Sequence, residues 1–91
     1  MKIKDFLNNG NWIKGHMARD RFGKPCGVLD HEATGWDLLG AMRVCYPDQK
    51  EYQEVATCIY SLLPTGQRLI CLWNDGVQWE DVCKILRLAD V

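Results

Sequence analysis

Nucleophilic or metal-binding chemistry in this chain would have to come from five cysteines and two histidines. They are Cys26, Cys45, Cys58, Cys71, Cys83, His16 and His31, scattered over 91 residues. No two of them have the C-x-x-C or other close spacing that is typical of a zinc site. We therefore expect no metal and no cofactor. In a reducing compartment the cysteines are expected to act as small hydrophobic residues.

Cys26 is the one cysteine that the pattern places outside an apolar helical or buried setting. A thiol is a nucleophile only as the thiolate, so catalysis would require an exposed Cys26 with a depressed pKa and a base such as His16 or His31. The chain contains no phosphate-binding glycine loop, nucleophile elbow or metalloprotease helix. The sequence therefore favours a non-enzymatic protein over a cysteine-based enzyme.

The candidate binding site consists of tryptophans and polar pairs. Its residues are Trp12, Arg19, Asp20, Trp73, Asn74 and Asp75. In a local interpretation, Asp20 starts a turn, Arg19 pairs with a carboxylate, and Asn74 and Asp75 satisfy donors at a helix entrance. In the alternative, Arg19 and Asp75 converge on a pocket with Trp12 and Trp73, and a small ligand or nucleotide would bind among Trp12, Arg19, Asn74 and Asp75. Because aromatic residues and Arg dominate binding hot spots, Trp12 and Arg19 are expected to serve partner binding more than folding.

The charge balance bears on the class of partner. Lys and Arg number 11, Asp and Glu number 12, and the formal net charge is −1. Nucleic-acid binding usually needs a basic surplus, and we therefore do not expect it here. The first residues lack the apolar core of a signal peptide, and no apolar run approaches membrane-spanning length. We expect a single cytoplasmic domain over residues 1–91 that does not bind a membrane.

Turn and cap signals divide the first half of the chain. Residues 2–9 have the apolar spacing of a short helix that ends at Asn8-Asn9-Gly10. Residues 12–19 and 25–29 are predicted to form a hairpin around Gly23. A helix is then predicted over residues 31–46 with Asp30 as its N-cap. Gly35 and Gly40 inside it would mark a close approach by another backbone or a large ring, with the tightest helix contact at Gly40-Ala41.

The second half has clearer helical periodicity. Asp48-Gln49-Lys50-Glu51 resembles a capping box for a helix that ends at residues 64–66. Residues 69–73, the most apolar short run, are predicted to be a strand or one helical turn buried between the two long helices and the last helix. Asn74-Asp75-Gly76 would form a turn and brace a final helix reaching about Ala89. The predicted fold is α+β, with about four helices and a short β-hairpin between helices 1 and 2.

Three short motifs in the chain are Ala18-Arg19-Asp20, Trp36-x-x-x-Gly40-Ala41 and Trp73-Asn74-Asp75. Together they resemble the motifs of a family of short bacterial and phage proteins of unknown function. The resemblance covers nearly the whole chain from Trp12 onward. Asp37 stands where the family often has Cys, and Gln78 stands near a position where Thr often caps the last helix. The resemblance implies that the Arg-Asp and Trp-Asn-Asp residues form one shared constellation, but it implies no activity.

The functional expectation comes from the bacterial and phage origin of the family that the chain resembles. We expect a phage or mobile-element accessory protein that docks on a host macromolecular complex, such as a defence system, and modulates or inhibits it. The partner would be a host protein or protein complex. The sequence leaves the oligomeric state open. The small-ligand module with a pocket near Trp12, Arg19, Asn74 and Asp75 is the alternative.

Overall fold

Five helices and two short strands form the part of the chain described by the computed structural model, residues 1–64, 67 and 69–91. The elements are α1 Ile3–Phe6, β1 Ala18–Asp20, β2 Ala33–Trp36, α2 Leu38–Cys45, α3 Gln49–Leu62, α4 Ile70–Gly76 and α5 Trp79–Ala89. The predicted α+β class, with paired strands between the first two helices, is confirmed. Among these residues, no helix is both long enough and apolar enough to cross a bilayer.

The strand pair differs from the predicted hairpin. β1 pairs antiparallel with β2, in the register Ala18↔Trp36, Arg19↔Gly35 and Asp20↔Ala33, with a bulge between Arg19 and Asp20. The predicted second strand at 25–29 is wrong, since only Pro25 forms an isolated bridge there. The predicted first strand, 12–19, is regular only at its end, although Trp12 forms a parallel bridge with Trp36. The turn around Gly23 is present, but the long-range partner of β1 lies further along the chain.

Helix α2 begins seven residues later than predicted because Asp37, not Asp30, is its N-cap. The carboxylate of Asp37 accepts a hydrogen bond from the Gly40 backbone N–H over 2.6 Å. Asp30 instead accepts from the N–H of Glu32, an Asx-type turn outside any helix. The close approach expected at Gly40 is real, because a Cβ there would lie 1.9 Å from the carbonyl oxygen of Met17. Its neighbour is a loop backbone, and the predicted helix contact is therefore replaced by a loop contact.

Helices α3 and α5 occur where the capping residues and the apolar spacing of the sequence predict them. Asp48 caps α3 by accepting from the N–H of Glu51 over 3.0 Å. The helix ends at Leu62, and part of the predicted stop, Thr65 and Gly66, lies outside the described residues. In α5 the capping box is formed by Gln78 and Asp81. The predicted bracing of this helix by Asn74 or Asp75 is therefore wrong.

The apolar run at 69–73 enters helix α4 and is only partly buried. Ile70 and Trp73 are buried, whereas Leu69 and Leu72 are 51% and 62% exposed. Asn74-Asp75-Gly76 does not form the predicted turn, since these residues are the last turn of α4. In a helix, residues three or four apart share a face, so Leu69 and Leu72 lie on the solvent side. Ile70, Trp73 and Asn74 lie on the buried side. The expectation of a wholly buried run is thus corrected.

The core lies among the five helices. Its buried members are Ile3, Leu7, Leu38, Ala41, Met42, Val55, Ile59, Ile70, Trp73, Val82, Ile85, Leu86 and Val91. The two ends of the chain meet there, because the N–H of Lys4 donates to the carbonyl of Val91 over 3.0 Å. The strand pair lies on this helical body through contacts between β2 and α2.

Candidate functional site

Asn74 joins three separate parts of the chain from a fully buried position (0% exposed). Its side-chain oxygen accepts from the indole Nε1 of Trp12 over 2.6 Å and from the backbone N–H of Leu38 over 3.0 Å. Its amide nitrogen donates to the carbonyl of Ile13 over 3.1 Å. A buried amide satisfied on both sides fixes the positions of its partners, since any lost bond leaves a polar group unpaired. Helix α4 therefore holds both residues 12–13 and the start of α2.

Asp75 and Arg19 bind the next residues of the same loop, residues 12–17, which we call the anchored segment. The carboxylate of Asp75 accepts from the N–H of Gly15 over 2.9 Å. The guanidinium of Arg19 donates from Nη2 to the carbonyl of Lys14 over 2.9 Å. The Arg19 Nε is buried and has no hydrogen-bond partner among the described residues. These side chains thus meet on the backbone of the anchored segment.

The remaining two predicted site residues have separate surroundings. Trp73 is 5% exposed and belongs to the core. Asp20 acts locally, since its Oδ1 accepts from the N–H groups of Phe22 and Lys24 over 2.9 and 3.0 Å. The local interpretation of Asp20 is therefore confirmed. For Arg19 the described residues provide a carbonyl partner in place of the expected carboxylate.

Asp37 is a titratable group that sequence reasoning left out of the site. It is 2% exposed, and burial raises the pKa of its carboxyl from 3.8 to about 6. The bond from Gly40 opposes this rise in pKa, the negative charge of Asp75 adds to it, and His16 weakens it. Its backbone N–H also donates to the carbonyl of Met17 over 3.2 Å, at the end of the anchored segment. The signal in the sequence was an Asp directly before Leu38-Leu39-Gly40-Ala41, an N-cap followed by an apolar helical turn.

Three clefts in the described part of the chain lie away from the four residues of the predicted ligand pocket. One cleft of about 420 Å³ is lined by Leu62, Trp73, Val77 and Leu88 among others. A second of about 270 Å³ lies between α1 and α5, and a third of about 370 Å³ lies on α3. None of these three is lined by Trp12, Arg19, Asn74 or Asp75. The described residues also contain no group of three or more side chains placed to hold a metal ion.

Cys26, the candidate nucleophile, is partly exposed, as are the other four cysteines. Burial raises the pKa of its thiol, and the carboxylates of Asp30, Asp20 and Glu32 raise it further. A raised pKa lowers the fraction of thiolate at neutral pH. The surroundings of Cys26 therefore disfavour nucleophilic chemistry at this sulfur.

A tight turn over residues 20–24, which we call the cationic turn, presents a large aromatic side chain to solvent. Phe22 is 72% exposed. The turn is held by the two bonds to the Asp20 carboxylate and by backbone bonds from Gly23 N–H to the Asp20 carbonyl and from Asp20 N–H to the Lys24 carbonyl. Gly23 has a φ of +80°, a conformation that suits glycine. The signal that could have identified this site is a Phe among residues that otherwise favour turns.

No protein-family model matches the chain, and no curated protein or solved structure matches it.

Proposed function

We propose that this protein is a non-enzymatic binding protein that docks on a larger macromolecule through the cationic turn. The observation that carries the proposal is a Phe22 ring that is 72% exposed on a turn fixed by hydrogen bonds. Transferring such a ring from water into a partner contributes roughly 1.5–3 kcal/mol. A backbone that is already ordered loses little conformational entropy on binding, so more of that energy remains as affinity.

A second apolar residue between β1 and β2 is also exposed. Leu29 is 75% exposed and follows the turn in the loop that leads to β2. A hydrogen bond joins that loop to β2, because the indole Nε1 of Trp36 donates to the carbonyl of Val28 over 3.0 Å. Phe22 and Leu29 thus both project from backbone that is bonded to the body of the protein. Single exposed apolar residues are common, but two in the connection between β1 and β2 favour a contact with a partner there.

The setting that we propose is a phage or other mobile genetic element. There the protein would act in the cytoplasm of the host cell and would modulate or inhibit a host complex such as a defence system. This part of the proposal depends on the resemblance of the Ala18-Arg19-Asp20 and Trp73-Asn74-Asp75 motifs to those of bacterial and phage proteins. It comes from the origin of those proteins and not from the chemistry of the residues. The anchored segment and Asn74 would then be the scaffold that holds β1 and the turn in place.

The proposal is tested by capture from lysate of the natural host, with the tagged protein as bait and quantitative mass spectrometry as readout. We expect one stoichiometric partner that remains bound to the wild-type protein at moderate salt. Phe22→Ala should lose this partner, whereas Tyr60→Ala, a partly exposed aromatic on α3, should retain it. Circular dichroism should show both variants folded, because neither side chain belongs to the core. Capture of no partner by the wild-type protein would refute the docking function.

A further inference from the structure

The cationic turn has a charge pattern that restricts the chemistry of its partner. Arg21 and Lys24 flank the exposed ring, and both side chains are exposed. The guanidinium carbon of Arg21 lies 4.8 Å from the centroid of the Phe22 ring. Among the described residues, neither cation forms an ion pair with a carboxylate. The turn therefore presents one exposed aromatic ring with an exposed cation at the residue before it and another two residues after it.

The carboxylates close to the turn in the sequence, at Asp20, Asp30 and Glu32, have partners other than Arg21 and Lys24. The Oδ1 atom of Asp20 accepts from two backbone N–H groups of the turn itself. The carboxylates of Asp30 and Glu32 lie 3.7 and 3.2 Å from the ring nitrogens of His31. Among the described residues, Arg21 and Lys24 are therefore exposed cations that no carboxylate pairs with. Two such cations favour a partner that is acidic where it meets them.

Resting on the proposed docking function, we infer that the cationic turn binds a protein surface on which an apolar pocket for Phe22 is bordered by Asp or Glu side chains. The ring enters the pocket, and the guanidinium of Arg21 and the ammonium of Lys24 pair with the carboxylates around it. Arg suits this role because its planar group can donate two parallel hydrogen bonds to one carboxylate.

A protein surface is favoured over a nucleic acid by the charges around the turn. The chain as a whole carries −1, and three carboxylates lie in the same loop region, at Asp20, Asp30 and Glu32. Nucleic-acid affinity depends mainly on a surplus of cations, and this region has two, Arg21 and Lys24, against those three carboxylates. Carboxylates at the rim of a protein pocket need to meet only the two cations at the end of the turn. The same charge pattern therefore disfavours one class of macromolecule and fits the other.

Charge reversal tests the inference separately from the proposed function. The double variant R21E/K24E is compared with K50E/K84E, which makes the same change in net charge at exposed lysines on α3 and α5. We expect R21E/K24E to retain less than a tenth of the partner captured by the wild-type protein, and K50E/K84E to retain most of it. Equal capture by the two double variants, with Phe22→Ala still deficient, would overturn the acidic-pocket inference and leave the docking function standing.

Photo-crosslinking identifies the class of surface directly. A benzoylphenylalanine placed at residue 22 should crosslink to a partner peptide that contains or adjoins several Asp or Glu residues, and the same probe at residue 60 should not. Crosslinking at residue 22 to a peptide without neighbouring carboxylates would overturn the inference. Loss of the captured material after nuclease treatment would also overturn it, because the partner would then be a nucleic acid.

Discussion

The indole Nε1 of Trp12 lies 2.6 Å from the side-chain oxygen of Asn74, so one hydrogen bond joins the loop before β1 to the last turn of α4. The two residues are 62 positions apart in the sequence. Both are predicted binding-site residues, and the structure shows them bonded to each other, with Asn74 buried and Trp12 half-buried. This bond makes the anchored segment part of the folded body and gives a direct test of its importance.

Asn74→Ala should destabilise the protein strongly. It leaves the Trp12 indole N–H, the Leu38 N–H and the Ile13 carbonyl without their partner. A buried group left unpaired costs about 1–3 kcal/mol, which applies in full to Leu38 and in part to the half-buried Trp12 and Ile13. We expect a loss of at least about 3 kcal/mol in the free energy of unfolding, measured by urea titration with circular dichroism. Asn9→Ala, at an exposed position, is the control and should change it by less than about 0.5 kcal/mol. A loss below about 1 kcal/mol for Asn74→Ala would contradict the anchoring role.

Gly40→Ala should destabilise the protein although alanine is the better helix former. The intrinsic preference favours Ala by about 1 kcal/mol, but the new Cβ would lie 1.9 Å from the carbonyl oxygen of Met17. A backbone atom cannot rotate away, so α2 and the anchored segment must separate. Gly76→Ala is the matched control, since a Cβ there meets no atom within 4 Å. Thermal unfolding should show a lower Tm for Gly40→Ala and an unchanged or higher one for Gly76→Ala; equal Tm values would contradict the close approach.

The raised pKa of Asp37 predicts that its contribution to stability falls as pH rises. The folded state holds the proton up to a pKa of about 6, whereas the unfolded chain loses it near 3.8. Between these values the folded state binds more protons, so the free energy of unfolding decreases with increasing pH, by up to about 3 kcal/mol in all. This change is complete above the folded pKa. Below the unfolded pKa, both states are protonated and the penalty is absent.

Asp37→Asn isolates this effect because the amide oxygen can still accept from the Gly40 N–H. We expect the variant to be at least as stable as the wild-type protein at pH 7.5 and to lack the decrease between pH 4 and 6. The measurement is the difference in the free energy of unfolding between the two proteins across that range. A variant that is clearly less stable at pH 7.5 would show that the ionised carboxylate is a net favourable cap.

The pH dependence of stability that Asp90 contributes should have the opposite sign to that of Asp37, because its pKa is lowered and not raised. Hydrogen bonds from Lys4 and then Lys2, over 2.5 and 3.0 Å, lower the pKa of its carboxyl from 3.8 to about 2. Its contribution to stability is therefore present above pH 3.8 and lost as the pH falls toward 2. An NMR titration of the side-chain carboxyl carbon should give a pKa that rises toward 3.8 in Lys4→Gln and does not change in Lys50→Gln. An Asp90 pKa near 3.8 in the wild-type protein would refute this ion pair.

Local signals account for the parts of the fold that sequence reasoning predicted correctly. Asp48 caps α3, and the apolar residues of α5 recur at helical spacing, so neither element depends on distant partners for its identity. The same holds for the turn at Asp20, where a short carboxylate binds the backbone two and four residues on. In each case the residues that determine the structure lie within one or two turns of one another.

Predictions failed where a distant contact decided between two local possibilities. Residues 33–36 were placed in a helix, but Gly35 lies opposite Arg19 in the strand pair, and a Cβ there would lie 2.8 Å from the Ile13 side chain. Strand pairing of this kind overrides a helical pattern without leaving a local trace. The same is true of α4, whose buried face is defined by the partners of Asn74.

The sequence by itself determined the α+β class, the helices α3 and α5, and the turn at Gly23, since capping, periodicity and turn chemistry act over a few residues. Only the tertiary structure decided that Trp12, Arg19, Asn74 and Asp75 meet on the anchored segment, and that Phe22 remains in solvent. Hydrogen bonds across about 60 residues and the final exposure of one ring depend on how the helices pack, and short-range patterns of capping, periodicity and turn residues do not specify that packing.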